Sequence, residues 1–370
     1  MDAITQTTRR LTKKDAILFK RMPSFLKGCH PFSRDAILFR RMPSFLMLML
    51  LPFALLAQPQ NQSQPQGHTL SQKLVFSPHW IPQAQFAGFY VALDKGFYKE
   101  AGLDVSIVHP SADVSSLEWL ESGKADVIST FLMDAIKKRV KGHELVNIAQ
   151  LSQHSALMLV GMKSRGIHTV ADLKGKKLGI WTSGFDDIPF AFIREKQLDM
   201  EVIRILSTVN LFLMGGIDAM TVMHYNEYDQ IINSGINEDE LTPFYFAEYG
   251  YDIPEDGLYC LESTLSTKRA ALAEFVKATL KGWEYAAQHK DYALDLVIAE
   301  MNKAHLPNNR AHQRWMIETI IEHQQPGNKA IKPGQLLPAD FNKALRIIRT
   351  NANQPAIDLT MDAFYHGLAH

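Results

Sequence analysis

The sequence predicts an α/β protein of two similar lobes, each a mostly parallel sheet flanked by helices, with a ligand cleft between them. From Lys73 onward, short apolar runs rich in β-branched residues alternate with helical stretches, a pattern typical of parallel sheets. Two such sets follow one another, and both contain the order strand, helix, glycine turn, strand. Because ligands bind at the carboxyl ends of parallel strands, the loops that follow these strands should line the cleft.

The first helix follows a Trp-Ile-Pro corner near the start of the first set. Its large apolar residues have the spacing of one helix face, at Phe86, Phe89, Tyr90, Leu93 and Phe97. Trp80 precedes the helix, where an exposed indole would lie beside free backbone N–H groups and the positive end of the helix dipole. This corner is therefore a candidate binding position.

The two sets of strands share an internal pattern. Predicted strands lie at 73–77, 104–110, 126–130 and 145–152 in the first set, and at 177–181, 202–206, 218–225 and 242–249 in the second. In each set a glycine, Gly123 or Gly216, ends a helix, and an aspartate, Asp126 or Asp218, opens the next strand. The pattern favours two matching lobes, although any two generic strand–helix–strand units would look alike.

The order of these elements predicts the domain organisation. We expect lobe I over 73–160 and 258–370, including helices at the C-terminal end, and lobe II over 161–257. Trp283 and Trp315 lie on apolar faces of the C-terminal helices, where we expect them to pack in the core.

The duplicated leader and signal peptide occupy 1–57. The segment 14–26 recurs at 34–46 with only Lys/Arg exchanges. Two arginines then precede an apolar run of about a dozen residues that ends at Ala57, typical of a secretory signal peptide and too short to span a bilayer. We expect an exported, periplasmic protein cleaved near Ala57, with a flexible tether over 58–72. An uncleaved leader acting as a membrane tether is the alternative. Three start codons are possible, at Met1, Met22 and Met42.

Composition excludes several classes of function. The chain has 370 residues with 39 basic and 39 acidic side chains, and no basic patch that would indicate nucleic-acid binding. The 14 histidines lack the spacing of metal ligands, and the two cysteines, Cys29 and Cys260, are too few for a disulfide framework. We expect a monomer without a cofactor.

Several motifs carry a resemblance to a known family. They are Trp80-x-Pro82, GFYKEAGLDV at 96–105, ESGKADV at 121–127, ADLKGKKLGI at 171–180 and GIDAM at 216–220. The chain resembles, over roughly 73–290, the solute-binding proteins of ABC transporters that capture thiamine-pyrimidine precursors, a family that also contains the fungal pyrimidine precursor synthases. The resemblance implies a type II periplasmic binding fold with a hinged cleft, a small heterocycle as ligand, and an ABC permease in the inner membrane as partner.

The resemblance also implies a set of ligand-binding residues. Trp80 would stack on a flat heterocycle, although a Trp buried at the lobe edge is the alternative. Asn226 and Glu227 match the polar pair that faces the pyrimidine, and Glu227 can accept from an exocyclic amine and a protonated ring nitrogen together. Tyr225 or Tyr228 could close the stack. A solvated helix start is the alternative for this segment.

Weaker candidates lie at the starts of two helices. Gln83 and Gln85 precede the first helix, and Ser183 and Gly184 precede another, where their groups could donate hydrogen bonds to a ligand. The Asp186–Asp187 pair that follows should repel a phosphate; a cap for that helix is the alternative role of the pair.

Enzyme chemistry is not expected. Where the synthases carry a Lys that holds pyridoxal phosphate and a His consumed as substrate, this chain has Thr130 and Asp134, which cannot supply those groups. Cys260 alone stands where the synthases carry a cysteine cluster. The sequence therefore favours a binding protein for a thiamine-pyrimidine precursor. Alternatives are a binder of riboflavin or an aliphatic sulfonate, a sensor module, or a synthase-like enzyme.

Overall fold

The computed structural model describes residues 71–111, 114–181, 185–206, 208–352 and 358–370. They belong to one compact unit, Gln66–His370. The predicted leader over 1–57, and the predicted tether up to residue 70, lie outside the described residues. Within the described part of the chain, no helix has both the length and the apolar character needed to cross a membrane.

The ten strands assigned in the described residues are β1 Gln72–Ser77, β2 Leu103–Ile107, β3 Val127–Phe131, β4 Leu145–Gln150, β5 Leu157–Met162, β6 Lys177–Trp181, β7 Glu201–Ile205, β8 Ala219–Met223, β9 Leu241–Tyr245 and β10 Asp256–Leu261. The α-helices are α1 Ala87–Asp94, α2 Phe97–Glu100, α3 Ser116–Glu121, α4 Leu132–Val140, α5 Asp187–Glu195, α6 Asn210–Leu213, α7 Asp229–Asn233, α8 Glu262–Gln288, α9 Lys290–Lys303, α10 Arg310–Gln324, α11 Pro338–Asn351 and α12 Met361–Phe364.

The strands form two five-stranded sheets with the same internal order. One sheet has the order β2-β1-β3-β10-β4, and the other has the order β7-β6-β8-β5-β9. In each sheet four strands run in one direction, and the strand that arrives from the other sheet, β10 or β5, runs antiparallel to its neighbours. The predicted fold class, two mostly parallel α/β lobes, is confirmed. We call the sheet with β1 lobe I and the sheet with β6 lobe II.

A repeated hydrogen-bonded pair supports the similarity of the two lobes. In lobe I, Val75 N donates to Asp126 Oδ2 over 2.9 Å, and Asp126 N donates to the Val75 carbonyl over 2.8 Å. In lobe II, Lys177 N donates to Asp218 Oδ2 over 2.8 Å, and Asp218 N donates to the Lys177 carbonyl over 2.9 Å. In each lobe the aspartate therefore ties the turn before one strand to the neighbouring strand.

Close helix packing fixes the position of α1 in lobe I. Gly282 of α8 faces Gly88 of α1 so closely that a Cβ on Gly282 would lie 2.2 Å from the Gly88 carbonyl oxygen. Trp283 packs on Gly88 and is buried in the core, as the sequence predicts. Trp315 of α10 is partly buried against lobe II, where its Nε1 donates to the His224 carbonyl over 2.9 Å.

Two crossing segments, 151–156 and 246–255, join the lobes. Asp252 Oδ1 accepts a hydrogen bond from Ser155 N over 2.7 Å. Asp252 Oδ2 forms a second hydrogen bond, over 2.9 Å, with His154 Nδ1. Glu255 accepts from Ser155 Oγ over 2.7 Å and from Ala156 N over 3.0 Å. The predicted domain bounds stay a prediction, but these carboxylates show that the two crossings form one hydrogen-bonded connection.

Candidate ligand-binding cleft

The cleft lies where loops from the two lobes meet. The carboxyl ends of β1 and β3 lead into 78–83 and α4, and the residues after β8 begin a single π-helical turn, His224–Tyr228. A small cavity here, with a volume of about 20 Å³, is lined mainly by apolar side chains from both lobes. This volume is about that of a single water molecule, well below the roughly 300–1,000 Å³ of small-molecule sites, so the closed cleft has no room for an organic ligand.

The lobes are closed onto each other in this structure. Phe131 of lobe I and Phe185 of lobe II meet edge to face with their ring centroids 4.6 Å apart, and both rings line the cavity. Gln85 Nε2 of lobe I donates to the Tyr225 hydroxyl of lobe II over 3.2 Å. A flat ring could enter between these groups only if the lobes separate, a motion that a two-segment connection allows.

An ion pair also joins the lobes. Lys137 Nζ of α4 lies 2.6 Å from Asp187 Oδ2 at the start of α5 and 3.7 Å from Asp186 Oδ1. Burial lowers the pKa of Lys137, but the bond to Asp187 and the neighbouring carboxylates outweigh burial and raise it overall. Asp186 also pairs with Arg204 over 3.0 Å and makes no side-chain cap bond to α5. The two carboxylates are thus held by basic side chains.

The predicted stacking residue lies at the surface after β1. Trp80 is 48% exposed, and the neighbouring Ile81 is 41% exposed. The Trp80 carbonyl bonds His109 Nδ1 over 2.6 Å, which anchors the backbone of the corner while the indole stays accessible. One N–H at the start of the following helix, that of Ala84, donates to Gln313 Oε1 of α10 over 2.8 Å. The indole is therefore accessible, but Trp80 is not among the described residues that line the cavity, and its stacking role stays a prediction.

The candidate glutamines form a buried chain of hydrogen bonds to the other lobe. Gln83 Nε2 donates to Gln85 Oε1 over 2.7 Å, and Gln85 in turn reaches Tyr225. All three side chains are buried. The structure thus brings together Gln83, Gln85 and Tyr225, three residues that the sequence proposes for the site. Ser183 and Gly184 lie outside the described residues.

The predicted polar pair is engaged in its own turn. Glu227 Oε2 accepts from Met223 N over 2.9 Å, and Glu227 Oε1 accepts from Asn226 Nδ2 over 2.7 Å. Asn226 Oδ1 accepts from Gln230 Nε2 over 2.8 Å and lies 3.2 Å from His312 Nε2 of α10. Burial raises the pKa of Glu227. These contacts are those of a helix start, and contact with a ligand stays a prediction for both residues.

A largely buried carboxyl group that sequence analysis missed, with its side chain 14% exposed, lies behind the cleft wall. Asp256 Oδ2 accepts from Gln85 Nε2 over 2.9 Å, and Asp256 Oδ1 lies 3.8 Å from His79 Nε2. His79 Nδ1 bonds Ser129 Oγ over 2.8 Å. Burial raises the pKa of Asp256 to about 7, whereas burial and the nearby His109 lower the pKa of His79 to about 3. Asp256 is the first residue of the antiparallel strand β10. The rule that ligands bind at the carboxyl ends of strands therefore does not point to this residue, which lies at the amino end of its strand.

The positions that carry synthase chemistry hold other groups here. Thr130 is buried at the end of β3, and its hydroxyl donates to Asp134 Oδ2 over 3.4 Å. Asp134 also pairs with Lys138 one turn further along α4. Cys260 is buried in β10, and burial raises the pKa of its thiol to about 12. In the described part of the chain, no group of three or more His, Cys, Asp or Glu side chains could hold a metal ion.

Comparison with known proteins places the chain among binding proteins and their relatives. Residues 83–293 match the family model described as NMT1/THI5 like. A formylaminopyrimidine-binding protein of Halalkalibacterium halodurans is 24% identical over 263 residues, which cover 67% of this chain and 77% of that protein. The 4-amino-5-hydroxymethyl-2-methylpyrimidine phosphate synthase THI11 of Saccharomyces cerevisiae is 29% identical over 108 residues, but these cover only 29% of this chain and 32% of the enzyme.

A solved structure supports the fold assignment. The periplasmic aliphatic sulphonate binding protein SsuA from Escherichia coli superposes with a TM-score of 0.61 at 16% sequence identity. The match covers 79% of this chain and 91% of that chain. At this level of identity, the likeness carries information on the fold alone, and it confirms the two-lobed architecture of a type II periplasmic binding protein.

Proposed function

Because the chain belongs to the NMT1/THI5-like family, we propose that it is the substrate-binding component of an ABC importer and captures a thiamine-pyrimidine precursor. The observation that carries this proposal is the closed cleft between two matching lobes, where apolar rings and a few hydrogen-bonding groups converge. Such a cleft can take up a small flat molecule when the lobes open and enclose it when they close around it. Delivery to a permease then needs closure and opening but no chemical step.

The chemistry of the cleft favours a heterocycle with amine donors as the ligand. The cavity lining includes Asp187, which pairs with Lys137, and Glu255, and no arginine or lysine is among the described residues that line it. A sulfonate would require donors and positive charge at these positions. The formylaminopyrimidine-binding relative supports the same ligand class. Riboflavin and aliphatic sulfonates remain the competing ligands for the test below.

The proposed ligand contacts come from both lobes. Trp80 stacks on the ring from the loop after β1, and Gln83 supports the polar wall of lobe I. Tyr225, Asn226 and Glu227 approach from the π-helical turn of lobe II. Ser183 and Gly184 remain second-rank candidates by their position in the sequence.

Catalysis is not part of the proposal. Thr130 has no amine for a Schiff base, and Asp134 has no imidazole to donate. Cys260 is a single buried thiol, which is normally inert. A synthase-like protein would bind pyridoxal phosphate, so an absorbance spectrum taken with that cofactor distinguishes the two classes.

The cellular setting follows from the proposed role. An importer component acts outside the inner membrane, where it meets its permease. We propose an exported, periplasmic monomer whose leader is cleaved near Ala57, with retention of the leader as a membrane tether the competing outcome. N-terminal sequencing of the protein purified from the periplasm tests the cleavage site.

A thermal-shift screen tests the proposed function. Purified protein is heated with aminopyrimidines, riboflavin or alkanesulfonates at equal concentrations. A ligand at 100 times its dissociation constant stabilises the fold by about 2.7 kcal/mol, which raises the melting temperature measurably. The proposal predicts that aminopyrimidines alone raise it. A shift with sulfonates or riboflavin and none with aminopyrimidines would overturn the proposed ligand class.

A further inference from the structure

The carboxyl group of Asp256 lies at the cleft edge of lobe I although its strand runs antiparallel. Asp256 is the register partner of Phe131, the last residue of β3, so the first residue of β10 lies at the edge where β3 ends. Phe131 and Glu255, on either side of this position, both line the cavity. Asp256 is therefore directly behind the cavity wall, together with His79 and Gln85.

One oxygen of this carboxyl group has an unused capacity for hydrogen bonding. Asp256 Oδ2 accepts from Gln85, but Asp256 Oδ1 is buried and has no hydrogen-bond partner among the described residues. The 3.8 Å to His79 Nε2 is too long for a hydrogen bond. A buried oxygen without a donor costs free energy, so a ligand N–H placed there would be strongly favoured.

Glu227 does not offer the same capacity. Each of its carboxylate oxygens already accepts a hydrogen bond, one from Met223 N and one from Asn226 Nδ2. These bonds hold together the π-helical turn that carries Tyr225. A ligand amine at Glu227 would compete with the bonds that shape this turn.

Opening of the lobes would uncover a matched donor next to the free acceptor. Tyr225 of lobe II now accepts a hydrogen bond from Gln85 Nε2, which also donates to Asp256. When lobe II moves away, this Gln85 N–H loses the Tyr225 hydroxyl and keeps only a long contact of 3.3 Å to His79 Nε2, so it can turn to a ligand acceptor beside Asp256. Above pH 7, where the Asp256 carboxyl group is mostly ionised, the pair then presents one acceptor and one donor to the cleft. A neutral 4-aminopyrimidine has the complementary edge, with an amine donor next to a ring-nitrogen acceptor.

We propose that Asp256, and not Glu227, accepts the exocyclic amine of the bound pyrimidine, while Gln85 donates to the adjacent ring nitrogen. This inference rests on the proposed function and specifies its recognition. It makes the site selective for a 4-amino group, because a 4-oxo pyrimidine would set its carbonyl oxygen against the Asp256 carboxyl oxygen.

Replacing Asp256 by Asn gives a directional test. In Asp256→Asn the amide oxygen must face Gln85 Nε2, which donates to it, so the new NH₂ group takes the place of Oδ1. That group is a donor and meets the ligand amine unfavourably, but it suits a 4-oxo group. Calorimetric titration at pH 8, where Asp256 is mostly ionised, with 4-amino-2-methylpyrimidine and its 4-oxo analogue measures both affinities. We expect at least a 30-fold loss for the amino compound and unchanged or tighter binding of the oxo compound.

Three further variants complete the experiment. Asp94→Asn makes the same chemical change at the end of α1, where Asp94 bonds Tyr292, and should leave both affinities unchanged. Glu227→Gln should change the affinities for the amino compound and for the oxo compound by a similar factor, because Glu227 does not accept the ligand amine. Asp256→Ala, checked for folding by circular dichroism, removes the acceptor without supplying a donor. It should lose the selectivity for the amino compound, and it tests the inference if Asp256→Asn does not fold.

The outcomes separate this inference from the proposed function. If the unmodified protein binds neither aminopyrimidines nor their oxo analogue, the proposed function fails, and the inference fails with it. If the unmodified protein prefers the amino compound and folded Asp256 variants keep that preference, the inference alone is wrong. Loss of the preference in Glu227→Gln, but not in the Asp256 variants, would assign the acceptor to Glu227 instead.

Discussion

Removing the positive charge of Lys137 should weaken the closure of the lobes. Lys137 Nζ lies 2.6 Å from Asp187 across the cleft, and the two side chains are only 25% and 12% exposed. At an effective dielectric constant of about 20, the gross attraction over this distance is about 6 kcal/mol. Desolvation of both groups cancels most of it, so we expect a net contribution of about 1 to 2 kcal/mol, between exposed and fully buried pairs.

Lys137→Met keeps most of the side-chain length and removes the charge. The ratio of closed to open protein should then fall by about 5- to 30-fold, the factor that corresponds to 1 to 2 kcal/mol. Small-angle X-ray scattering of the ligand-free protein should show a larger radius of gyration. Ligand affinity should also fall, because binding must now supply the lost closure energy.

Lys138→Met is the matched control for this experiment. Lys138 lies next to Lys137 on α4, but it pairs with Asp134 of the same helix and not with lobe II. We expect the radius of gyration and affinity of Lys138→Met to match those of the unmodified protein. Identical scattering and affinity for Lys137→Met and Lys138→Met would refute the reasoning that the pair holds the lobes together.

Two other substitutions and one labelling experiment test separate parts of the account. Trp80→Ala should keep its melting temperature, since the indole is half exposed, but weaken calorimetric ligand binding by about 1 to 3 kcal/mol; unchanged affinity would rule out stacking. Gly282→Ala should lower the free energy of unfolding, measured by urea denaturation, by about 1 to 3 kcal/mol, because the new Cβ would overlap the Gly88 carbonyl oxygen. Unchanged stability would show that α1 and α8 can move apart without cost. Cys260 should react with a thiol reagent at pH 8 only as the protein unfolds, because its pKa is raised to about 12; rapid labelling of folded protein would contradict its burial.

Local patterns in the sequence were sufficient to predict the two lobes. Alternating strands and helices fix the fold class, and the aspartates at Asp126 and Asp218 mark equivalent turns because each must satisfy the backbone of a neighbouring strand. One detail was wrong. The residue in the left-handed conformation after α6 is Gly215, with φ of 79°, and not Gly216. Position 216 requires glycine for another reason, because a Cβ there would lie 2.4 Å from Leu211 Cδ1.

The candidate site was only partly predictable. Tyr225 follows a parallel strand, so the rule of carboxyl ends leads to it, and Gln85 was found from its place before α1. Asp256 opens an antiparallel strand, and the partner of Lys137 lies in the other lobe. Both depend on how the chain crosses between the lobes, and that path leaves no local signal in composition or spacing.

The most direct test of the central claim is a calorimetric comparison of three ligands on the purified protein. An aminopyrimidine, riboflavin and an alkanesulfonate are titrated separately under identical buffer and temperature. We predict saturable binding of one aminopyrimidine per chain and no heat of binding from the other two. Saturable binding of the sulfonate or of riboflavin, with none of the aminopyrimidine, would contradict the account.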